Sequence, residues 1–133
     1  MRKFIIILVT ILSPLTSYLS PLSCHAQSAM TKENGRYVVN TTELGKSIEG
    51  YNGPVPVKVY IKKNKVEKVE VLKCQESPKY LAKVKRAILD VWNGLKVKDA
   101  SKKQVDAVTG ATYTSEALIQ NVRLGLDYYQ KHK

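Results

Sequence analysis

The sequence predicts an α+β domain, an antiparallel sheet built from hairpin-joined strands with helices packed on it. Three observations predict it. In "PVPVKVYI", residues 54–61, Val55, Val57, Val59 and Ile61 alternate with Pro56, Lys58 and Tyr60, the period-two pattern of a half-buried strand. The polar turn "KKNK" and the segment "VEKVEVL" then supply the return arm of a hairpin. Farther on the spacing becomes helical, through Tyr80, Val84, Ile88 and Val91 and again through Leu118, Val122 and Leu126, with Ile119 and Tyr129 beside them. Strands gathered before helices, with no parallel βαβ crossover, describe this class.

At the N-terminus, Met1 to Lys3 carry two positive charges and the uncharged "FIIILVTIL" follows, interrupted at Pro14. This nine-residue run is too short for a spanning helix, which needs about 20. Residues 1–26 therefore read as a secretory signal peptide, cut after Ala26 in "CHA". The second choice is a lipid anchor at Cys24, behind "PLS", although Pro21 stands where such a signal usually has leucine. Pro14 and the polar run from Ser13 to Ser20 count against an uncleaved anchor. An exported chain, periplasmic or on the outer surface, is the expectation.

Removing 26 of the 133 residues leaves 107, enough for a single domain. Residues 27–34 are polar and read as a loose end, so the domain is expected over residues 35–133. "GRYVV" reads as a short strand. Pro54 and Pro56 lack amide donors, which places the start of the following strand at a sheet edge. On "VEKVEVL", Val69 and Val71 fall on one face and Val66 and Leu72 on the other. Ser77 and Pro78 mark a helix start, as N-cap and first helical residue. Asn93-Gly94 ends that helix, and a lysine-rich loop runs to Gln104. The last helix is expected from near Thr114 to about Gln130, capped by Thr114 and Ser115.

Without Arg2 and Lys3 the chain carries a net charge of +9. Its lysines are scattered, as on ordinary solvated faces, and a secreted chain seldom meets nucleic acid, so no nucleic-acid partner is expected. Cys74 is the one cysteine after residue 26, which excludes a disulfide within the mature chain. A small buried residue is its expected part. His25 lies in the signal segment and His132 at the far end, leaving no Ser/His/Asp arrangement and no Cys/His cluster with metal spacing. No catalytic residue is identified. Trp92, Tyr128 and Tyr129 read as core or interface.

The chemistry gathers in "DAVTGATYTS", residues 106–115. It lies between a polar loop and the first turn of an amphipathic helix, where unpaired N–H groups and the helix dipole favour an anion. Gly110 permits a close backbone approach, and the combination suits a phosphate. The hydroxyls of Thr109, Thr112, Thr114 and Ser115 offer further hydrogen bonds or, from one of them, a covalent ester. Simple helix capping, worth about 1 kcal/mol for each residue, is the competing reading.

"DAVTGAT" resembles the flavinylation signature D-x-x-[ST]-G-A-T of the FMN-binding domain family, which includes FMN-carrying subunits of sodium-translocating NADH:quinone reductase and its ferredoxin-oxidising relatives. "GYNGPVPVKVYI", "KVEKVEVL", "ESP" and "YTSEAL" are similar to other family segments in the same order, over about Gly35 to Tyr129. The resemblance implies that a flavin transferase takes FMN from FAD and joins its phosphate to Thr112. It implies that Asp106, Thr109, Gly110 and Ala111 shape the loop, with Thr114 and Ser115 beside it. Glu76, Ser77 and Pro78 match the family's Glu-Thr-Pro loop and are expected near the flavin, with a helix cap as the other reading. Ser77 replaces the usual threonine there, and Lys79 stands where glycine often follows.

The function this implies is an exported flavoprotein that passes electrons between a membrane donor and an extracytoplasmic acceptor protein, a carrier more than a stand-alone enzyme. Lysine-rich surroundings would favour an anionic reduced flavin. The alternatives are a module of the same fold that binds FMN reversibly or has lost it, and a basic adhesion module resting on charge alone.

Overall fold

The computed structural model describes residues 29–133. The signal segment and Cys24 lie outside the described residues. In chain order the elements are β1 (Met30–Glu33), β2 (Arg36–Asn40), β3 (Val57–Lys62), β4 (Lys65–Val71), α1 (Pro78–Ile88), α2 (Val97–Ser101) and α3 (Thr112–His132). The four strands pair antiparallel in the order β1-β2-β3-β4, and the helices make this an α+β fold.

Two tight turns shape the meander. Asn34 and Gly35 have φ of 50° and 79°, and Lys63 and Asn64 have φ of 53° and 63°. Positive φ at both central residues suits the right-handed twist of the strands a two-residue hairpin joins. Of the expected loose end over residues 27–34, Met30–Glu33 form β1 and Asn34 its turn, a correction for those residues, while residues 27 and 28 lie outside the described residues. Asn34-Gly35 folds Met30–Glu33 back along β2, with Met30 opposite Val39 and Glu33 opposite Arg36.

β3 lies between β2 and β4, which corrects the edge position expected from its prolines. Pro54 and Pro56 precede the strand. Pro54 forms an isolated bridge with Glu49, and the Pro56 carbonyl accepts the Leu72 N–H at 2.9 Å. A second correction concerns β4. Tyr60 faces Lys68 while the next residue, Ile61, faces Val66, so Glu67 is an extra residue, a β-bulge. The bulge shifts the alternation, and Val66 and Val69 both turn to the core, at 1% and 5% exposure.

The core lies between the inner sheet face and the helices. Val39, Val57, Val59 and Ile61 meet Leu118, Val122 and Leu126, with Val84, Ile88 and Trp92 closing the layer. α3 carries most of this contact across the sheet, and Tyr129 meets Tyr37 edge to face at 5.3 Å between centroids. α3 also starts two residues earlier than expected, at Thr112, and runs on to His132.

α2 replaces part of the expected lysine-rich loop, because Val97 and Ala100, three residues apart, are both fully buried. α1 ends at Ile88, short of Asn93-Gly94. The Gly94 N–H instead donates to the Val66 carbonyl at 2.7 Å, tying the following turns to β4.

The outer sheet face is polar. Arg36 donates to Glu67 at 2.7 Å, and this bond holds the Glu67 carboxyl below its usual range. Arg36 and Lys68 both lie over the Tyr60 ring, at 5.0 and 4.8 Å.

α3 lies close to the sheet at Gly125, where an added Cβ would lie 3.2 Å from Thr41 Cγ2 and from Val59 Cγ2. Gly125→Val is expected to lower stability by about 1–3 kcal/mol through overpacking, read in denaturant unfolding. A variant as stable as the parent would show that the helix sits farther from the sheet.

Candidate functional site

The site is built around the start of α3. Gly110, with φ of 86°, turns the chain into the helix, and Ala111 occupies the N-cap position without a side-chain bond to the backbone. The N–H groups of Thr112, Tyr113 and Thr114 have no intrahelical acceptor by position, and the helix dipole adds partial positive charge. Nearby, the Lys83 ammonium donates to the Thr109 carbonyl at 3.0 Å.

The hydroxyls divide into two classes. Ser115 is fully buried; its Oγ donates to the Ala111 carbonyl at 2.7 Å and accepts the Val108 N–H at 2.9 Å. Thr114 is buried as well and donates to the Glu76 carboxylate. Neither caps the helix. Because α3 begins at Thr112, both lie inside its first turns and bond to other segments, a correction to the capping expected for them. Thr109 and Thr112 are exposed, and Thr112 is the first helical residue.

Glu76 is 5% exposed and collects three donors. Oε1 accepts the Tyr51 N–H at 2.8 Å and the Thr114 hydroxyl, and Oε2 accepts the Asn52 N–H at 2.5 Å. Among the described residues no cation pairs with it. Gly50 packs directly on the carboxylate, where any Cβ would collide with Oε1. One side chain thus joins the loop before β3, the loop before α1 and the first turn of α3.

A cavity of about 430 Å³ opens in front of this junction. Thr112, Gly110, Ala111 and Thr114 form one wall, Ser77 and Tyr80 another, and Tyr51, Asn52 and Tyr113 the rim. None of these residues is an aspartate, glutamate, lysine, arginine or histidine. Tyr51, Tyr80 and Tyr113 are 76%, 45% and 65% exposed, and the Tyr51 and Tyr113 rings lie 6.3 Å apart at a 43° tilt. Large aromatic faces left in water beside a cavity of this size mark a place for a flat apolar ligand.

The predicted residues distribute unevenly around it. Glu76 lies behind the wall and lines neither this cavity nor a second one. Ser77 and the exposed Pro78 take the expected N-cap and first helical positions of α1, but Ser77 makes no side-chain cap bond, which corrects that part of the reading. The second cavity, about 310 Å³, contains Asp106 with Glu116 and Arg123. Thr112 is the one residue common to both cavities. Tyr51, Asn52, Tyr113 and Lys83 were not singled out in the sequence, and Tyr80, expected on the apolar stripe of α1 with Val84 and Ile88, is 45% exposed and lines the cavity instead. A signal existed for the tyrosines, since each adjoins a motif segment, in "GYNGP", "SPKY" and "GATY".

Comparison with known families agrees with this geometry. The family model described as the FMN-binding domain matches residues 50–127, from the loop under Glu76 to near the end of α3. A search of curated proteins finds no match. The residues present fit FMN in kind, with exposed aromatic faces for a ring system and a helix start with a threonine hydroxyl for a phosphate.

Glu76→Ala would leave two backbone donors and the Thr114 hydroxyl without an acceptor. A loss of about 3 kcal/mol is expected, with about half of that for Glu76→Gln, which keeps one accepting oxygen. Equal loss in the two variants, measured by urea unfolding, would contradict the role given to the carboxylate.

Proposed function

From its membership of the FMN-binding domain family, to which this chain belongs and which makes FMN its cofactor, we propose that it is an exported electron carrier with FMN esterified to Thr112. The observation that carries the reading is the position of Thr112. Its side chain is exposed at the helix start and shared by both cavities, while Thr114 and Ser115 are committed to buried bonds.

Each nearby group has a stated part. Thr112 Oγ1 forms the new bond to the flavin-side phosphorus of FAD as the phosphoanhydride breaks and AMP leaves, with the hydroxyl proton passing to a base of the flavin transferase. The α3 N–H groups and dipole would hold the phosphodiester anion. Lys83 of α1, bonded to the Thr109 carbonyl, adds a cation beside that loop. Tyr51, Tyr80 and Tyr113 offer faces and edges to the ring system. Glu76 lines neither cavity; its bonds to the Tyr51 and Asn52 N–H groups and the Thr114 hydroxyl tie the Tyr51 loop to α3.

When bound, FMN supplies one- and two-electron transfer. The protein contributes orientation, partial exclusion of water and a cationic surround. The donor is proposed at the membrane and the acceptor outside the cytoplasm, with residues 1–26 directing export. A covalent tether suits that location, because a lost cofactor could not be replaced from the cytoplasmic pool.

After co-expression with a flavin transferase and denaturation, the intact mass is expected to rise by FMN less one water. Thr112→Ser should keep the increment and Thr112→Ala lose it. An unmodified mass with flavin released by denaturant would establish the reversible reading, and a colourless chain would end the carrier reading.

A further inference from the structure

We propose that the exposed face of α1 is a docking surface for an acidic redox protein, placed so that the partner meets the mouth of the Tyr51–Tyr113 cavity. The inference rests on the carrier reading above for its purpose, and on α1 itself for its evidence.

α1 reads "PKYLAKVKRAI" and contains four cations and no acid. Val84 and Ile88 point to the core. Lys79, Lys83 and Arg86, spaced i, i+4 and i+7, therefore share the opposite, solvent-facing side. All three are exposed. Among the described residues the ion pairs are Arg36–Glu67 and Lys46–Glu43, so none of these cations is neutralised by one.

At its N-terminal end this arrangement works against the helix that carries it, while Lys85 and Arg86 in the last turn suit the dipole. Lys79 and Lys83 repel each other at i, i+4, and Lys79 stands in the first turn, where the dipole favours acids and none is present. On the outer sheet face, by contrast, Arg36 is paired with Glu67 and lies over Tyr60. α1 thus sets four cations and no acid in a helix that adjoins the cavity. Tyr80 of the same helix lines that cavity, and Lys83 reaches the loop leading to Thr112.

Exposed tyrosines rimmed by lysine and arginine have the composition of an interface centre and its charged surround. The complementary surface is acidic, and attraction of this kind raises association rates strongly at low salt. A partner seated here reaches the ring site without any movement of the chain.

The test uses the flavin-loaded chain, reduced beforehand, and two haem proteins of opposite charge: the acidic soluble domain of cytochrome b5 and the basic cytochrome c. Each flavin oxidised reduces two haem irons by one electron apiece and releases its protons to solvent. With the acidic protein the second-order rate is expected to fall about tenfold between about 0.01 M and 0.15 M ionic strength, whereas with the basic one it should not fall.

Lys79→Glu with Arg86→Glu should lower the low-salt rate with the acidic protein about tenfold. Lys58→Glu with Lys68→Glu, an equal charge change on the outer sheet face, should have a much smaller effect. Reduction by the neutral radical of photoexcited 5-deazariboflavin should be unchanged in both. Equal loss in the two double variants would show net charge alone and overturn the docking surface. So would salt-independent rates accompanied by α1-dependent binding to anionic phospholipid vesicles, which would assign the face to a membrane.

A flavin-independent arm separates this proposal from the carrier reading. In the Thr112→Ala chain, titration with oxidised cytochrome b5 should shift the amide NMR signals of α1 and of residues 50–53. Signals that move only on the outer sheet, or not at all, overturn it.

Discussion

The site depends on one buried carboxylate. Glu76 receives two backbone N–H groups and a threonine hydroxyl, and by doing so holds Tyr51, Asn52 and Thr114 in fixed relation. Removing a charged group from water is expensive unless it is fully hydrogen-bonded, so the three donors and the carboxylate stabilise one another only as a set. The bare Cα of Gly50 makes the close packing possible. The exposed rings of Tyr51 and Tyr113, which gain little from folding, owe their spacing to this junction.

That junction needs a rigid frame, and the sheet and α3 provide it. The inner valines of β3 and the stripe Leu118, Val122 and Leu126 fix α3 across the sheet, with Gly125 allowing the approach. The helix then presents its unsatisfied first turn, with Thr112 at its head, to the cavity. Packing at one part of α3 and ligand chemistry at its start are separate demands on one element. Ser115 and Thr114 join them by tying the first turn to the motif loop and to Glu76.

Long periodic segments were legible in the sequence: the β3–β4 hairpin, α1 and α3 follow from alternation and helical spacing. What escaped depended on single residues or on neighbours distant in the chain. One extra residue, Glu67, reversed the face of Val66, and the short α2 has only two buried positions among lysines. In β1, the Asn34-Gly35 turn outweighed a strand with no apolar pattern.

At the site, backbone physics located the phosphate-favouring loop and resemblance singled out Thr112. The roles of Thr114 and Ser115 were misread because capping turns on the exact residue at which a helix starts. Glu76 was expected near the flavin; it lines neither cavity and is bonded to Tyr51, Asn52 and Thr114, partners set by tertiary geometry. Tyr51 and Tyr113 carry no periodic signal, and with Tyr80 they became visible as a site only once folding brought the three around one opening.

The central claim is that Thr112 carries its flavin through a phosphodiester. Phosphorus NMR of the loaded, folded chain tests the bond directly. A diester has no proton to lose near neutrality, so its resonance should stay fixed from pH 5 to pH 8. A resonance that titrates near about pH 6, as a phosphate monoester does, and disappears on dialysis would contradict the account.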